Sequence, residues 1–208
     1  GGGVVRNLVL QGGAYGIAAG MELVGLCQEP TTTLRVEGVT IQKSGRGIYG
    51  SFLSLAVTGG RVQKNRVHGI SIGNTALLID GAEVSKNGGV GLLLNNFTAP
   101  AGATKRQIRH SIFRQNALGG IEVLGGGLPV EMSGCTVIDN KIAGLTLIGA
   151  QSTTISNSSF SFNKPSPSWG DGIRIFRSGP VVADNLTVNF NGRAGMSAFG
   201  CEGAPTTV

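Results

Sequence analysis

The chain has 208 residues, of which 36 are glycine, 13% are charged and 5% are aromatic, and its formal net charge is +6. The glycine content argues against long helices, because an interior glycine costs a helix about 1 kcal/mol relative to alanine. No apolar run reaches the ~18 residues of a transmembrane helix, and no signal peptide is visible. The basic balance fits either an ordinary soluble protein or affinity for an anionic partner.

One short phrase recurs along the chain. An apolar residue is followed by an asparagine three positions later, then by a glycine and apolar residues at alternate positions. The clearest copies run from Val62 to Ile72, from Val84 to Leu94 and from Phe113 to Val123, and three later copies contain Asn140, Asn163 and Asn191. Two weaker copies come first, with Gly13 and Ser44 in place of the asparagine. Such self-similarity is typical of repeat proteins, whose units bury their apolar faces only by stacking.

Aligning the copies on the asparagine predicts three short strands in each repeat. Apolar or small residues recur at a spacing of two before the asparagine and again after the glycine, which is the strand period. In the copy that ends at Asn65, the inward residues before the asparagine are Leu55, Val57, Gly60 and Val62. Most repeats measure about 21–24 residues, and longer spacings indicate insertions at 21–33, 96–105 and part of 164–171.

With these columns aligned over eight repeats, the chain resembles the right-handed parallel β-helix proteins of the pectate-lyase-like superfamily. The resemblance implies a single all-β solenoid over residues 1–208, with about eight coils and three parallel sheets. It also implies a hydrogen-bonded asparagine ladder at the turn between the second and third sheets, formed by Asn65, Asn87, Asn116, Asn140, Asn163 and Asn191. Neither end has a polar cap, so we expect either a segment of a longer protein or end-to-end stacking.

Enzymes of this superfamily usually place their sites on the outer face of the first sheet, and here that face carries Asp80 and Arg109, with His110 beside them. A lyase or epimerase acting on an acidic polysaccharide needs a base that removes the proton next to a carboxylate and a cation that stabilises the enolate. Arg109 and His110 would be the stabiliser and the base, and Asp80 would orient one of them. The same charges also fit simple pairing across neighbouring strands.

Other catalytic signatures of the superfamily are missing from the sequence. The outward acids Glu37, Asp80 and Glu131 fall about two coils apart, too far to share one ion, so no metal site is predicted. The close Asp-Asp groups of polygalacturonase-like members are absent, and the His68-Gly69 pair is interpreted as the glycine of the repeat with a histidine next to it. The Asp-Pro-His-Glu motif of alginate epimerases is absent as well. We therefore expect no cofactor, and Ca²⁺ only if the protein is a lyase.

A column of basic residues is the second candidate site. Lys43, Lys64 and Lys86 precede the asparagine position in three successive coils, and Arg61 and Arg66 lie nearby. Like charges at the ~4.8 Å spacing of neighbouring strands repel each other unless solvent or an anion screens them. The column fits either a solvated turn, whose lysines prevent unwanted pairing with other chains, or a row of charges that binds a linear polyanion. Nucleic acid is disfavoured, because no aromatic residues alternate with the lysines.

The last insertion contains the only tryptophan of the chain. Trp169 with Asp171 and Arg174 is a candidate carbohydrate-binding platform, although a tryptophan in such a loop more often anchors the loop itself. In the same region the lysine column changes to Phe162 and Phe190, which indicates an exposed apolar strip.

Three cysteines leave the redox state open. Cys135 lies in an inward column and is predicted to be a buried thiol. Cys27 and Cys201 fall in loop and tail sequence, where either is free, paired with the other, or paired outside this chain.

The sequence as a whole predicts a non-catalytic scaffold, exported to the cell surface or the extracellular space. Its expected partner is an acidic polysaccharide or another anionic polymer. Two alternatives remain: a polysaccharide lyase or epimerase acting on a uronate-containing polymer, and a filament segment that associates end to end.

Overall fold

The structure of the protein is a computed structural model that describes residues 2–19, 33–95, 105–164 and 170–200. Within these ranges the chain forms 22 strands, numbered β1 to β22 in chain order, and no helix. The first face of each coil is made by β1 Gly2–Arg6, β4 Thr33–Glu37, β7 Ser54–Thr58, β10 Ala76–Asp80, β13 Arg106–Arg109, β16 Val130–Ser133 and the first halves of β19 Thr153–Ser161 and β21 Val181–Asn189. The second face is made by β2 Val9–Gln11, β5 Thr40–Gln42, β8 Arg61–Gln63, β11 Glu83–Ser85, β14 Ile112–Arg114, β17 Thr136–Ile138 and the second halves of β19 and β21. The third face is made by β3 Tyr15–Ala19, β6 Arg46–Ser51, β9 Ile70–Gly73, β12 Leu92–Asn95, β15 Ile121–Leu124, β18 Ala143–Ile148, β20 Asp171–Phe176 and β22 Met196–Phe199.

All of these strands pair in parallel with the corresponding strand of the next coil, so the chain is a parallel β-helix. The strands of the third face form one sheet of eight. The first and second faces join into one sheet of 14 strands, because β19 runs through the corner between them. The three predicted strand columns are therefore confirmed, and hydrogen bonding connects them into two sheets.

The core is a continuous column of aliphatic side chains inside the coils. The predicted inward residues Leu55, Val57 and Val62 are all buried, as are Ile70 and Ile72 of the third face in the same coil. The inward side chains are buried over about six turns, from β4 to β20, which is slightly fewer than the eight predicted coils. Within the described residues, the first and last coils each pair with one other coil, and their inward residues have more exposed surface than those of the middle coils.

The asparagine ladder lies at the turn between the second and third faces, as predicted. Each asparagine from Asn65 to Asn163 donates its backbone N–H and its side-chain N–H to the Oδ1 of the asparagine in the next coil, at 2.9–3.2 Å. Ser44 joins the ladder only through its backbone N–H, which donates to Asn65 Oδ1 at 3.1 Å. The ladder satisfies polar groups that would otherwise be buried without partners.

One inward position of the first face holds a charged residue. Arg106 occupies the register position of Leu77 and Val130 and is fully buried. Its Nε donates to the carbonyl of Thr75 at 3.0 Å and its Nη1 to the carbonyl of Leu128 at 3.2 Å. Burial lowers the pKa of Arg106 to about 10. Arg106 thus ties together turns from the coils on either side of it.

The cysteine prediction is confirmed where the structure describes it. Cys135 is buried on the inward column and is a free thiol. Burial raises the pKa of the Cys135 thiol, which keeps it protonated. Cys27 and Cys201 lie outside the described residues.

Candidate functional site

The lysine column lies on the turn that also contains the asparagine ladder. Lys43, Lys64 and Lys86 all have left-handed backbone conformations, with φ of 57°, 56° and 57°. This position precedes the buried ladder residue, so the chain bends sharply there and the side chain points away from the core. All three lysines are exposed, and within the described residues none of them forms an ion pair. The structure therefore places three unneutralised ammonium groups in successive coils.

A row of glutamines runs beside the lysines on the second face. Gln11, Gln42 and Gln63 are register partners in β2, β5 and β8. Their amides are hydrogen bonded in sequence, from Gln42 Nε2 to Gln11 Oε1 and from Gln63 Nε2 to Gln42 Oε1, both at 3.3 Å. The glutamine row gives the surface next to the lysines a uniform set of polar groups without negative charge.

The two arginines of the predicted polyanion site differ in their pairing. Arg61 lies 3.4 Å from Glu83, and Arg114 approaches the same carboxylate at 2.8 Å. Burial alone would raise the pKa of Glu83, but the hydrogen bonds from Ser85 and Arg114 and the nearby positive charges lower it overall. Arg66, by contrast, is exposed on the turn of Lys64 and forms no ion pair within the described residues. Among the five basic residues of this site, only Arg61 has an acid nearby in the described part of the chain, and it shares that acid with Arg114.

Further along the same turn, the exposed column changes its chemistry. Gln115 donates to Asp139 Oδ2 at 3.1 Å, and the rings of Phe162 and Phe190 stack with centroids 4.8 Å apart. Phe190 is 63% exposed, so the predicted apolar strip is confirmed for these two residues. The positive part of the column is limited to the coils of the three lysines.

The catalytic candidates come together on the corner between the first and second faces. Asp80 and Arg109 are register partners in β10 and β13, and His110 Nδ1 lies 3.0 Å from Asp80 Oδ1. His110 has a φ of 45° in a turn column where the neighbouring coils have Gly81 and Gly134. The His110 side chain is 69% exposed, so the Asp80–His110 pair lies on an open surface. The His110 imidazole could act as the base in a proton abstraction, and Arg109, next to it in the chain, could supply the positive charge. Because the pair is exposed to solvent, water weakens the electrostatic interactions that a closed pocket would strengthen.

Asp171, from the predicted sugar platform, is fully buried at the start of β20. Its carboxylate accepts hydrogen bonds from Arg174 Nε at 3.0 Å, from Arg193 Nε at 2.8 Å and from Ser197 Oγ at 3.0 Å, and Arg193 makes a second contact through Nη2. Burial would raise the pKa of Asp171, but these bonds and the two arginines lower it. Trp169 lies outside the described residues. The structure thus places Asp171 and Arg174 in one ion-pair cluster.

Sequence reasoning missed Arg193 and Tyr49. Arg193 belongs to the turn after Asn191, and its contact with Asp171 joins neighbouring coils, a pairing that repeat alignment does not reveal. Tyr49 comes two residues after Gly47, the repeat glycine of its coil, and it occupies an outward position of β6. Its ring stacks on that of Tyr15. Both tyrosines of the chain fall in the first two coils, and this placement could have predicted that their rings lie close together.

The described residues contain neither a metal-binding cluster nor a helix that could span a membrane. No group of three or more His, Cys, Asp or Glu side chains is arranged to hold a metal ion there. No helix in those residues is long and apolar enough to cross a membrane.

Comparison with known proteins identifies the family. Residues 4–160 match the family model described as right-handed β-helix region. None of the curated proteins matches the chain. Among solved structures, the crystal structure of pectate lyase Pel9A is similar at 16% identity with a TM-score of 0.49, over 84% of this chain and 54% of the lyase, so the chain spans about half the length of that lyase. Because the family model covers well over half of the chain, the protein belongs to the right-handed β-helix family.

Proposed function

We propose that the protein is a non-catalytic β-helix scaffold that binds an acidic polysaccharide, or another linear anionic polymer, through Lys43, Lys64 and Lys86. The observation that carries the proposal is that the three ammonium groups are exposed in successive coils and have no acidic partner among the residues that the structure describes. Stacked like charges repel, so an arrangement that leaves them unpaired favours an anion from outside. An exported location, at the cell surface or outside the cell, belongs to the same proposal.

The charges around the lysines support a linear ligand over a small anion. The lysines repeat at the ~4.8 Å spacing of neighbouring strands, so they present a charge at regular intervals along the axis of the coil. Arg66 adds a positive charge beside Lys64, while Arg61 shares the carboxylate of Glu83 with Arg114. The glutamine row beside them offers amide groups that hydrogen bond to hydroxyl groups. A polyuronate has both carboxylates and hydroxyls at regular intervals.

Affinity electrophoresis in gels containing polygalacturonate tests the lysine column. We expect the wild-type protein to be retarded relative to a gel with neutral dextran, and the retardation to weaken as salt increases. Lys64→Gln should reduce it, and the combined Lys43→Gln, Lys64→Gln and Lys86→Gln variant should abolish it. Lys105→Gln is the matched control, because it removes the same charge from a lysine that directly precedes β13 and is paired with Glu131 at 2.8 Å. Equal retardation of the triple variant and the wild type would refute the proposal.

A lyase or epimerase acting on a uronate polymer is the second candidate, favoured by the 3.0 Å contact between His110 and Asp80. His110 would remove the proton next to the carboxylate, Arg109 would stabilise the enolate, and in a lyase the electron pair would form the carbon–carbon double bond as the glycosidic oxygen leaves and takes up a proton. Incubation with polygalacturonate, followed by the ultraviolet absorbance of the unsaturated product, tests the lyase. Product that is lost in Arg109→Ala but kept in Arg35→Ala, which changes an exposed arginine elsewhere on the first face, would favour this function over the first.

A further inference from the structure

A cavity on the third face is separate from both sites described above. Its volume is about 210 Å³, and the residues that line it include Tyr49, Phe52, Ser71, Leu93 and Asn95. Tyr49, Ser71 and Leu93 are register partners in β6, β9 and β12, so they lie one above another on the outer surface of the sheet. Phe52 and Asn95 lie at the ends of the strands, where the chain leaves the third face.

The ring of Tyr49 is held in place by two contacts from outside the cavity. Tyr15 stacks on it with ring centroids 5.1 Å apart and an angle of 29° between the planes. The guanidinium carbon of Arg46 lies 5.1 Å from the centroid of the Tyr49 ring. Stacked aromatic and cation–π contacts of this kind stabilise a ring in one orientation. Tyr49 is therefore a pre-positioned aromatic surface at the edge of the cavity.

Phe52 adds a second aromatic ring at the turn that follows β6. Its φ is 53°, the left-handed conformation that this turn position also has at Asn74, Gly125, Gly149 and Arg177 in later coils, so the turn is a regular feature of the β-helix. The Phe52 backbone N–H donates to the carbonyl of Gly73 at 3.2 Å, which fixes the turn. The large side chain lies half-buried against the cavity instead of projecting into solvent.

The lining combines apolar surface with neutral hydrogen-bonding groups. Tyr49, Phe52 and Leu93 supply the apolar part, while the hydroxyl of Ser71 and the amide of Asn95 supply donors and acceptors. Among the described residues that line the cavity, none has an ionisable acid or base apart from the Tyr49 phenol. A sugar ring has the complementary surface, with C–H bonds on its face and hydroxyl groups around its rim.

We propose that this cavity is a binding subsite for one ring of a saccharide, stacked against Tyr49. The volume supports a single ring, because it is smaller than the roughly 300–1,000 Å³ typical of pockets for larger ligands. The contact requires no charge on the sugar, so the subsite is independent of the lysine column. Arg46, behind Tyr49, follows Lys43 by three residues in the same coil, so the subsite and the lysines are on adjoining surfaces.

Isothermal titration with two saccharides, neutral cellotetraose and acidic tetragalacturonate, tests the subsite. We expect the wild type to bind at least one of them, and Tyr49→Ala to weaken that binding about tenfold through loss of the stacked ring. Tyr49→Phe, which keeps the ring, should stay within about threefold of the wild type. Circular dichroism of each variant confirms that the fold is retained.

The outcomes separate this subsite from the lysine column. If Lys64→Gln weakens binding of tetragalacturonate while Tyr49→Ala leaves both saccharides unaffected, the lysine proposal holds and the Tyr49 subsite is refuted. If Tyr49→Ala reduces binding and Lys64→Gln does not, the Tyr49 subsite is supported and the lysines are not needed for binding there. Absence of saturable binding of either saccharide to the wild type at 10 mM, roughly the limit for one weak subsite, refutes the subsite.

Discussion

The side chain of Asn116 shows how one residue type stabilises a whole turn. Its Oδ1 accepts hydrogen bonds from the backbone N–H and the Nδ2 of Asn87, at 3.2 and 2.9 Å. Its Nδ2 donates to the carbonyl of Val84 at 3.2 Å and to Asn140 Oδ1 at 3.0 Å. The Asn116 side chain therefore satisfies groups of the preceding coil and of the next one.

Replacing Asn116 by alanine should lower the free energy of unfolding by about 3 kcal/mol or more. The change leaves the buried backbone N–H of Asn87 without its acceptor, which costs about 1–3 kcal/mol, and it also removes the side-chain hydrogen bonds to Asn87, Val84 and Asn140. Gln115→Ala is the control, because Gln115 is exposed on the same turn, and it should change stability by less than about 1 kcal/mol. Urea denaturation followed by circular dichroism measures both. A loss for Asn116→Ala no larger than that of the control would show that the ladder is not needed for stability.

His68 should make stability depend on pH in the range just below neutrality. His68 Nδ1 accepts a hydrogen bond from the backbone N–H of Val90 at 3.1 Å, so the folded state holds the neutral imidazole. Burial, and then the charge of Arg46, lower the pKa of His68 below its ordinary value near 6.5. In the unfolded state His68 takes up a proton at the ordinary value, so stability is full above about pH 6.5 and falls as the pH drops toward the lower folded pKa.

Proton NMR titration measures this directly, because the chain has only two histidines. We expect the imidazole signal that disappears in His68→Gln to titrate below the ordinary value. The same variant should show a flatter pH profile of unfolding free energy between about pH 7.5 and 5.5. A His68 signal that titrates at or above the ordinary value would contradict the structure at this turn.

At the scale of the strand and turn, the glycine of the repeated phrase has a steric cause. A Cβ on Gly120 would lie 2.4 Å from Val137 Cγ1, 2.7 Å from the carbonyl of Gly144 and 2.9 Å from Asn140 Nδ2. The glycines at 69, 91, 144 and 172 meet equivalent atoms. The asparagine of the next coil thus fills the space where a side chain would be, so asparagine and glycine occur together.

Gly120→Ala should destabilise the protein by about 2–3 kcal/mol, because the neighbouring backbone and the ladder amide have to move. Gly119→Ala is a matched control one residue away, where the nearest atom to an added Cβ is the carbonyl of Ala143 at 3.5 Å. That distance is ordinary contact, so the control should remain within about 1 kcal/mol of the wild type. Thermal denaturation compares the two variants, and equal melting temperatures would contradict the steric explanation.

The sequence predicts these elements well because their residues repeat at fixed spacing. Val62, Asn65 and Gly69 each face the same environment as their counterparts in other coils, so alignment alone assigns them. Contacts between side chains of different coils are not encoded by the repeat, which is why the burial of Asp171 under Arg193 was missed. Arg106 was missed for the same reason, since its carbonyl partners Thr75 and Leu128 lie in turns of neighbouring coils.

For the whole molecule, the distribution of charge matters more than its sum. The acids at 37, 80, 83, 131 and 171 each have a basic partner within 3.4 Å. The full sequence has 17 lysine and arginine residues against 11 acidic residues, so six positive charges are in excess overall. Lys43, Lys64, Lys86 and Arg66 put a large part of that excess on one turn of the β-helix, where it acts as one extended charged surface.

This concentration of charge predicts a salt effect on stability that needs no ligand. At low salt the lysines repel one another across neighbouring coils, and salt screens that repulsion as the Debye length falls from about 30 Å at 0.01 M to about 3 Å at 1 M. The wild type should therefore gain stability as sodium chloride rises over this range. The variant with Lys43→Gln, Lys64→Gln and Lys86→Gln should be more stable than the wild type at 0.01 M, and this difference should shrink toward zero at 1 M. Urea denaturation of both proteins at each salt concentration measures the difference. A difference that does not depend on salt would mean that the three lysines do not act as one charged surface, and would remove the electrostatic basis for binding an anionic polymer there.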